Sequence, residues 1–104
     1  MWSELKIRGI TIANRFVHTA VGEGFANPDG SATSRLRDRY ALLGYGGAIG
    51  LIITGHVFVA PEAKLRDGQS GLWKDSQIAG FAKVAAAAKR DGSRIFKLFY
   101  RHSI

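Results

Sequence analysis

Three histidines and eight carboxylates are the side chains of this 104-residue chain with the widest range of chemistry. His18, His56 and His102 are far apart in the sequence, and no HExxH motif or other close ligand spacing joins them. Metal sites need such spacing, so the sequence predicts no metal site. The chain has no cysteine, which excludes disulfides and thiolate chemistry and fits a reducing compartment.

Nucleophiles and acid–base pairs are equally sparse. Ser70 lies in "GQSGLW", which is not a GxSxG motif, and no evident general base accompanies this serine. The acidic residues fall mostly in predicted loops or on helix surfaces, and no two of them read as a general acid and base. The residues alone therefore predict no catalytic residue in this chain.

Two glycine-rich stretches, "GEGFANPDG" and "GYGGAIG", are candidates for a phosphate-binding loop. Both depart from the GxGxxG pattern that cradles a dinucleotide, and neither is a P-loop. The loop that starts at Gly22 is also too long for a Rossmann turn. Turn glycines are the preferred interpretation of both stretches.

The first half of the chain predicts a hairpin, a strand and a helix. Residues 5–14 alternate apolar and polar side chains around Gly9, which is typical of a β-hairpin. Residues 15–21, "RFVHTAV", form a candidate buried strand. After a loop, Thr33 is a suitable N-cap for a helix. The apolar face of that helix is predicted to consist of Leu36, Tyr40 and Leu43.

The second half predicts a strand, a helix and a strand. Residues 49–54 form a nearly continuous apolar run, as in a parallel strand covered on both faces, and a further extended piece is expected at 57–60. Asp75 is expected to cap the second helix, and Gly92 to end it. The predicted apolar stripe of this helix is Ile78, Phe81, Ala82, Ala85 and Ala88. Residues 94–100, "RIFKLFY", are predicted to form the last strand.

Strands that alternate with helices indicate an α/β fold with a parallel sheet. Right-handed crossovers would place both helices on one face of the sheet. Ligands of such folds gather where strands end, here near residues 19–21, 54–56 and 98–100. In this scheme Gly50 allows close packing, and Gly55 leaves the backbone open to a ligand.

The net charge of +7 and the pI near 10.3 raise the possibility of nucleic-acid binding. The cations are scattered without a run of five or six, so a solvated surface is preferred and nucleic acid is not the expected partner. The N-terminus shows no signal peptide, and the apolar run at 49–53 is too short to span a bilayer. We expect a soluble, cytoplasmic protein without membrane contact.

Four spaced motifs resemble the N-terminal part of the old yellow enzyme family, the NADH:flavin oxidoreductases. They are "LKIRGITIANRFVHTAV", "NPDGSAT", "GGAIGLIITGHVFVAPE" and "GLWKDSQIAGF", and they occur in the family's order. The resemblance runs over residues 5–95, and "NRF" and "GGxGLIITG" are its most specific parts.

The resemblance implies an FMN-binding (β/α)8 barrel that takes hydride from NADH or NADPH and reduces an activated alkene or similar small molecule. Residues 1–14 would be the hairpin that plugs the barrel bottom. Residues 15–104 would supply barrel strands one to three with two helices. A whole barrel needs about 250 residues, so the expectation is an incomplete, truncated barrel that is inactive alone.

The resemblance also implies FMN contacts at Thr19, Ala20 and Val21 after the first strand, at Gly55 after the second, and at Lys97 on the third. Two of these positions depart from the family: Val21 stands where a hydroxyl or thiol is usual, and Lys97 where a glutamine is usual. Tyr100 takes a histidine's position. The family's proton-donating tyrosine and phosphate-binding residues lie on later strands, so no catalytic residue is assigned here.

Two alternatives stay open beside a truncated oxidoreductase. One is a half-barrel subunit that self-associates or pairs with another chain through its exposed strand edges. The other is a small basic nucleic-acid-binding domain. Because this chain would bury only part of a barrel core, we expect a stability of a few kcal/mol at best, on the order of the lower end for small domains.

Overall fold

The computed structural model describes the backbone of residues 2–100 and the side chains of residues 2–99. It contains five strands and two α-helices. Their bounds are β1 Leu5–Ile7, β2 Ile10–Ile12, β3 Val17–His18, α1 Ser34–Gly44, β4 Leu51–Phe58, α2 Ile78–Lys89 and β5 Arg94–Tyr100. The alternation of strands and helices that the sequence predicts is therefore confirmed.

The strands form two sheets. β1 and β2 pair antiparallel as the predicted hairpin, and its turn at Arg8 and Gly9 has positive φ at both residues. β3, β4 and β5 form a parallel sheet in which β4 is central. Two βαβ units with parallel strands are the start of a barrel architecture, and the predicted α/β fold class holds.

Both helices pack on the same face of the parallel sheet, as right-handed crossovers require. The core between them and β4 consists of Leu36, Tyr40, Ile52, Phe81, Val84 and Ala88. α1 and α2 approach closely at their C-terminal ends, where a Cβ on Gly44 would collide with the carbonyl oxygen of Ala88. Thr33 caps α1 as predicted, because its hydroxyl accepts the Leu36 N–H at 3.1 Å.

The start of α2 differs from the prediction. Asp75 does not cap the α-helix, because a 3-10 turn over Asp75–Gln77 precedes it. Gln77 is buried, and its side chain anchors this turn through two hydrogen bonds. It accepts the Trp73 N–H at 2.9 Å and donates to the Asp29 carbonyl at 2.8 Å. The inward face of the helix consists of Phe81, Val84 and Ala88, of which the sequence predicted Phe81 and Ala88. Ile78 and Ala82, which the sequence placed on that face, are exposed.

The central strand is longer than predicted and contains a bulge. β4 runs through residues expected as a break, because the pairing with β5 shifts by one residue between Ile53 and His56. The Thr54 hydroxyl stabilises this irregularity: it accepts the Leu98 N–H at 3.0 Å and donates to the Gly55 carbonyl at 3.0 Å. A bulge at a strand end re-aims the following side chains, which is common beside functional sites.

The first parallel strand is shorter and more exposed than the buried strand predicted at 15–21. Only Val17–His18 pairs with β4, and Val17 is 49% exposed. Its outer edge has no strand partner among residues 2–100. On the face away from the helices, Val17 and Leu98 are 49% and 38% exposed, whereas Leu51 is buried.

The hairpin lies at the amino ends of the parallel strands. The Asn14 side chain, 4% exposed, donates to the Gly47 and Ala48 carbonyls at 3.4 and 3.2 Å. The absence of a Cβ at Gly50 leaves room for the hairpin, since a Cβ there would lie 2.6 Å from the Asn14 carbonyl oxygen. Gly50 therefore has the packing role expected of it. Within residues 2–100, no helix has the length and apolar character needed to cross a membrane.

Candidate functional site

The carboxyl ends of the three parallel strands meet at one edge of the sheet, opposite the hairpin. Side chains alternate between the two faces. Residues in register with the core residue Ile52 face the helices, and those in register with Leu51 face away from them. The helix-free face exposes His56 and Leu98 near this edge, whereas the exposed Val17 is in register with Leu51, where β4 begins. Exposed surface on this face is thus available beside the strand ends.

The segment after β3 crosses the end of β4. Thr19 is exposed, Ala20 is half-buried, and Val21 is 51% exposed. The Val21 carbonyl oxygen would lie 2.5 Å from a Cβ on Gly55. The structure thus brings together four of the residues that the sequence assigned to a flavin. Gly55 itself is buried beneath Val21 and Glu23, so its backbone is not open to a ligand as the sequence analysis expected.

A buried tyrosine fixes this crossing. The Tyr40 hydroxyl donates a hydrogen bond to Oε1 of Glu23 and accepts the Gly55 N–H at 3.2 Å. Burial, followed by the hydrogen bond to Glu23, raises the pKa of Tyr40 well above its usual range, so the phenol stays protonated. Helix α1 therefore holds both the loop after β3 and the end of β4 through one side chain.

Lys97 lies away from the other predicted flavin residues, which are Thr19, Ala20, Val21 and Gly55. Its ammonium lies 5.3 Å from the centroid of the Phe81 ring, on the face of β5 that packs against α2. There it lines an apolar groove of about 510 Å³ with residues of α2 and β5. The divergence from the family's glutamine thus coincides with a side chain directed to the helix layer. Tyr100, the other divergent position, has no described side chain, and His102 lies outside the described residues.

A cavity of about 270 Å³ opens beside the strand ends. Its lining combines the loop after β3, the end of β4 and the connection that leads to α2. The lining residues are Gly22, Glu23, Gly24, His56, Leu65, Arg66, Gly68, Gln69 and Ser70. Loops at the carboxyl ends of parallel strands are where α/β proteins bind ligands. This cavity is the candidate site.

Three residues of this region were missed in the sequence analysis: Glu23, Tyr40 and Arg66. Glu23 stands between two glycines directly after a strand, a position where the strand-end rule could have singled it out. Tyr40 was assigned only to the apolar face of its helix, and Arg66 was counted among scattered surface cations. Nothing in the sequence indicates that either one reaches the site, because long-range loop packing determines both positions.

The two described histidines, His18 and His56, do not converge. His18 is in register with the core residue Ile52, and its Nδ1 is buried without a hydrogen-bond partner. His56 is in register with Leu98, on the opposite face of the sheet. Across residues 2–100, no group of three or more His, Cys, Asp or Glu side chains could hold a metal ion.

The described residues fit one side of a flat aromatic cofactor. Ala20 and the glycines around the cavity lack bulky side chains, and Val21 and Leu98 offer exposed apolar surface. A planar ring needs such surface on its face and backbone polar groups at its edge. Residues 19–21 lie past the last paired residue of β3, where the chain leaves the sheet.

Comparisons with known proteins agree with this geometry. The profile of the NADH:flavin oxidoreductase / NADH oxidase family matches residues 1–101. An NADH oxidase of Thermoanaerobacter brockii is 38% identical over 97 residues, which cover 92% of this chain and 15% of that protein. An NADPH dehydrogenase of Bacillus subtilis strain 168 is 30% identical over 96 residues, 91% of this chain and 28% of that protein.

A solved structure shows the same fold. The old yellow enzyme of Pichia sp. AKU4542 superimposes with a TM-score of 0.86 at 24% identity, over 95% of this chain and 25% of that one. The matched part of this chain accordingly spans between 15% and 28% of the length of these relatives. Its strands correspond to part of their barrel fold. With its profile matched over residues 1–101, the chain belongs to the NADH:flavin oxidoreductase / NADH oxidase family.

Proposed function

We propose that this chain supplies the hairpin and the first three strands of an FMN-binding barrel. The hairpin occupies residues 1–14, and residues 15–104 form one partial barrel domain. The complete barrel moves a hydride from NADH or NADPH to the flavin, and then to an activated alkene or similar small molecule. The observation that carries this proposal is the parallel sheet β3-β4-β5 with its hairpin at the amino ends, in a chain whose family is named for NADH and flavin.

In this proposal Thr19, Ala20 and Val21 contact one edge of the flavin ring. The support is their position past the end of β3 and next to Gly22, which lines the cavity. Gly55 contributes indirectly, because its missing Cβ lets Val21 cross β4. Lys97 contacts the flavin only if its side chain leaves Phe81. When bound, the flavin would supply the hydride-accepting ring, and this chain's residues would orient it and shield it from water.

A second role, as a half-barrel subunit, is favoured by one further observation. The groove between α2 and β5 is lined mostly by apolar side chains, together with Lys89 and Lys97, and Phe99 on the edge strand is 55% exposed. Neither β3 nor β5 has a strand partner on its outer edge within residues 2–100. Open edges and apolar grooves of this kind favour association with further barrel elements, from another chain or a second copy.

A complementation experiment tests the proposed oxidoreductase function. The chain is co-expressed with the Bacillus subtilis NADPH dehydrogenase from which the matched N-terminal 28% has been removed. We expect flavin-dependent NADPH oxidation with an activated alkene only when both pieces are present. The control restores the removed segment of the dehydrogenase itself as a separate chain. An active control beside an inactive mixture with this chain would contradict the proposal.

A further inference from the structure

Arg66 stands out among the residues that line the cavity. Its guanidinium packs against Gly22, where a Cβ would lie 2.5 Å from Nη2. Its side chain forms no ion pair or hydrogen bond with any residue that the structure describes. An arginine has five donors and retains its charge at any physiological pH. The charge of Arg66 is therefore directed to the cavity without a protein partner.

The turn that carries Arg66 is well fixed. Lys64 and Asp67 form an ion pair at 2.7 Å across it, and Leu65 N donates to the Gln69 side chain at 2.7 Å. Gly68 accepts the Ala26 N–H at 3.0 Å, which joins the turn to the loop after β3. The Lys64 ammonium lowers the pKa of Asp67 and engages its carboxylate. The nearest acid in the sequence is thus occupied by another cation.

Glu23 is the acidic residue that lines the cavity, and its carboxylate is already hydrogen-bonded to another residue. Its Oε1 accepts from the Tyr40 hydroxyl, and its Oε2 would lie 2.9 Å from a Cβ on Gly55. No ion pair joins Glu23 to Arg66, although the structure describes both. The cavity therefore has a negative side at the strand end and a positive side at the turn.

We propose that Arg66 binds the anionic group, a carboxylate or a phosphate, of the small molecule that enters this cavity. This inference rests on the proposed function, because that function brings two such molecules to the site. The carboxylate would belong to an unsaturated acid as acceptor, and the phosphate to the nicotinamide nucleotide. Guanidinium matches both groups by paired, charge-assisted hydrogen bonds. The missing Cβ at Gly22 leaves room for the Arg66 guanidinium itself at the wall of the cavity.

Ligand-observed NMR titration of the purified chain without flavin tests this. The probes are crotonate with its neutral isostere crotonamide, and 2′,5′-ADP with adenosine. The variants are Arg66→Gln and, as a control with the same loss of charge at an exposed site, Arg90→Gln. We expect one anion to bind the wild type, and Arg66→Gln to raise its Kd by about tenfold or more, as loss of a charged hydrogen bond does. Arg90→Gln should leave that Kd unchanged.

The two probe pairs distinguish the sources of the anion. Tighter binding of crotonate than of crotonamide supports an acid acceptor, and tighter binding of 2′,5′-ADP than of adenosine supports the nucleotide. Equal Kd values for Arg66→Gln and wild type, or no anion binding at all, would overturn the inference. Because flavin is omitted, a failure here leaves the flavin proposal standing. Conversely, a chain that binds no flavin can still show the Arg66-dependent anion site.

Discussion

The Tyr40 hydroxyl on α1 donates its hydrogen bond to the Glu23 carboxylate across the end of β4. The same oxygen accepts the Gly55 N–H, so one buried phenol joins a helix, a loop and a strand. These two hydrogen bonds hold Glu23 and Gly55 in place beside the candidate site. The stability of the chain and its dependence on pH should therefore change when Tyr40 is replaced.

Replacing Tyr40 with phenylalanine should destabilise the chain by about 1–3 kcal/mol, because a carboxylate loses its donor and a buried N–H loses its acceptor. Urea denaturation followed by circular dichroism measures the change in the free energy of unfolding. Tyr45→Phe is the matched control, since Tyr45 is 78% exposed, and it should have no measurable effect. Equal stabilities for the two variants would show that the Tyr40 hydrogen bonds contribute nothing.

The same tyrosine predicts a loss of stability in alkali. Burial and the Glu23 hydrogen bond raise the pKa of Tyr40 in the folded chain above the value of 10.0 that it has when unfolded. The folded state therefore holds the proton more tightly. Its contribution is complete below pH 10 and falls above it, by up to about 1.4 kcal/mol per pH unit. Urea midpoints between pH 8 and 11 should fall more steeply in the Tyr45→Phe control than in Tyr40→Phe. Parallel slopes would contradict this prediction.

Gly55→Ala should disturb the crossing of the loop over β4. The new Cβ would lie 2.5 Å from the Val21 carbonyl oxygen, which is backbone and can move only with its loop. We expect a loss of about 1–3 kcal/mol, as in overpacked cores, together with shifted amide resonances in the loop after β3. Gly80→Ala is the control, because its Cβ meets only Ala32, whose Cβ lies at 3.3 Å and whose backbone N lies at 3.8 Å, and it should stay within about 1 kcal/mol of wild type. A Gly55→Ala variant as stable as this control would refute the close approach.

Thr54→Val tests the bulge in β4. The substitution keeps the shape of the side chain but removes the acceptor of the Leu98 N–H and the donor to the Gly55 carbonyl. Hydrogen exchange of the Leu98 amide should become faster, and stability should fall by about 1–2 kcal/mol. Thr11→Val in the hairpin serves as the comparison. If the Leu98 amide exchanges at the same rate in both variants, the threonine is not its partner.

Local sequence patterns predicted much of the fold. The hairpin around Gly9, the cap at Thr33 and the last strand at Arg94–Tyr100 are confirmed, because each depends on short-range signals. The apolar face of α2 was predicted only in part. Phe81 and Ala88 are buried as expected, whereas Val84 was omitted and Ile78 is exposed, because apolar residues occur on every side of this alanine-rich helix. The hydrogen bond from Gln77 to Asp29, 48 positions away, could not be predicted from a local pattern.

The candidate site was predicted less completely. Strand-end reasoning located Thr19, Ala20 and Val21 at the correct edge of the sheet. It also led to the wrong expectation that Gly55 is open, because the sequence does not reveal that Val21 and Glu23 cross above it. Lys97 lies over Phe81 because side chains alternate along β5: Ile95 packs against the helix core, and Lys97 follows it by two residues.

Equilibrium binding of FMN to the purified chain, followed by flavin fluorescence, tests the central claim most directly. We expect saturable quenching, lost in Ala20→Arg, where a bulky cation would occupy the ring's place, and retained in Ala86→Arg on the exposed face of α2. That result would locate the flavin beside residues 19–21. A folded chain that gives no saturable quenching, or equal quenching for both variants, would contradict a flavin site at these strand ends.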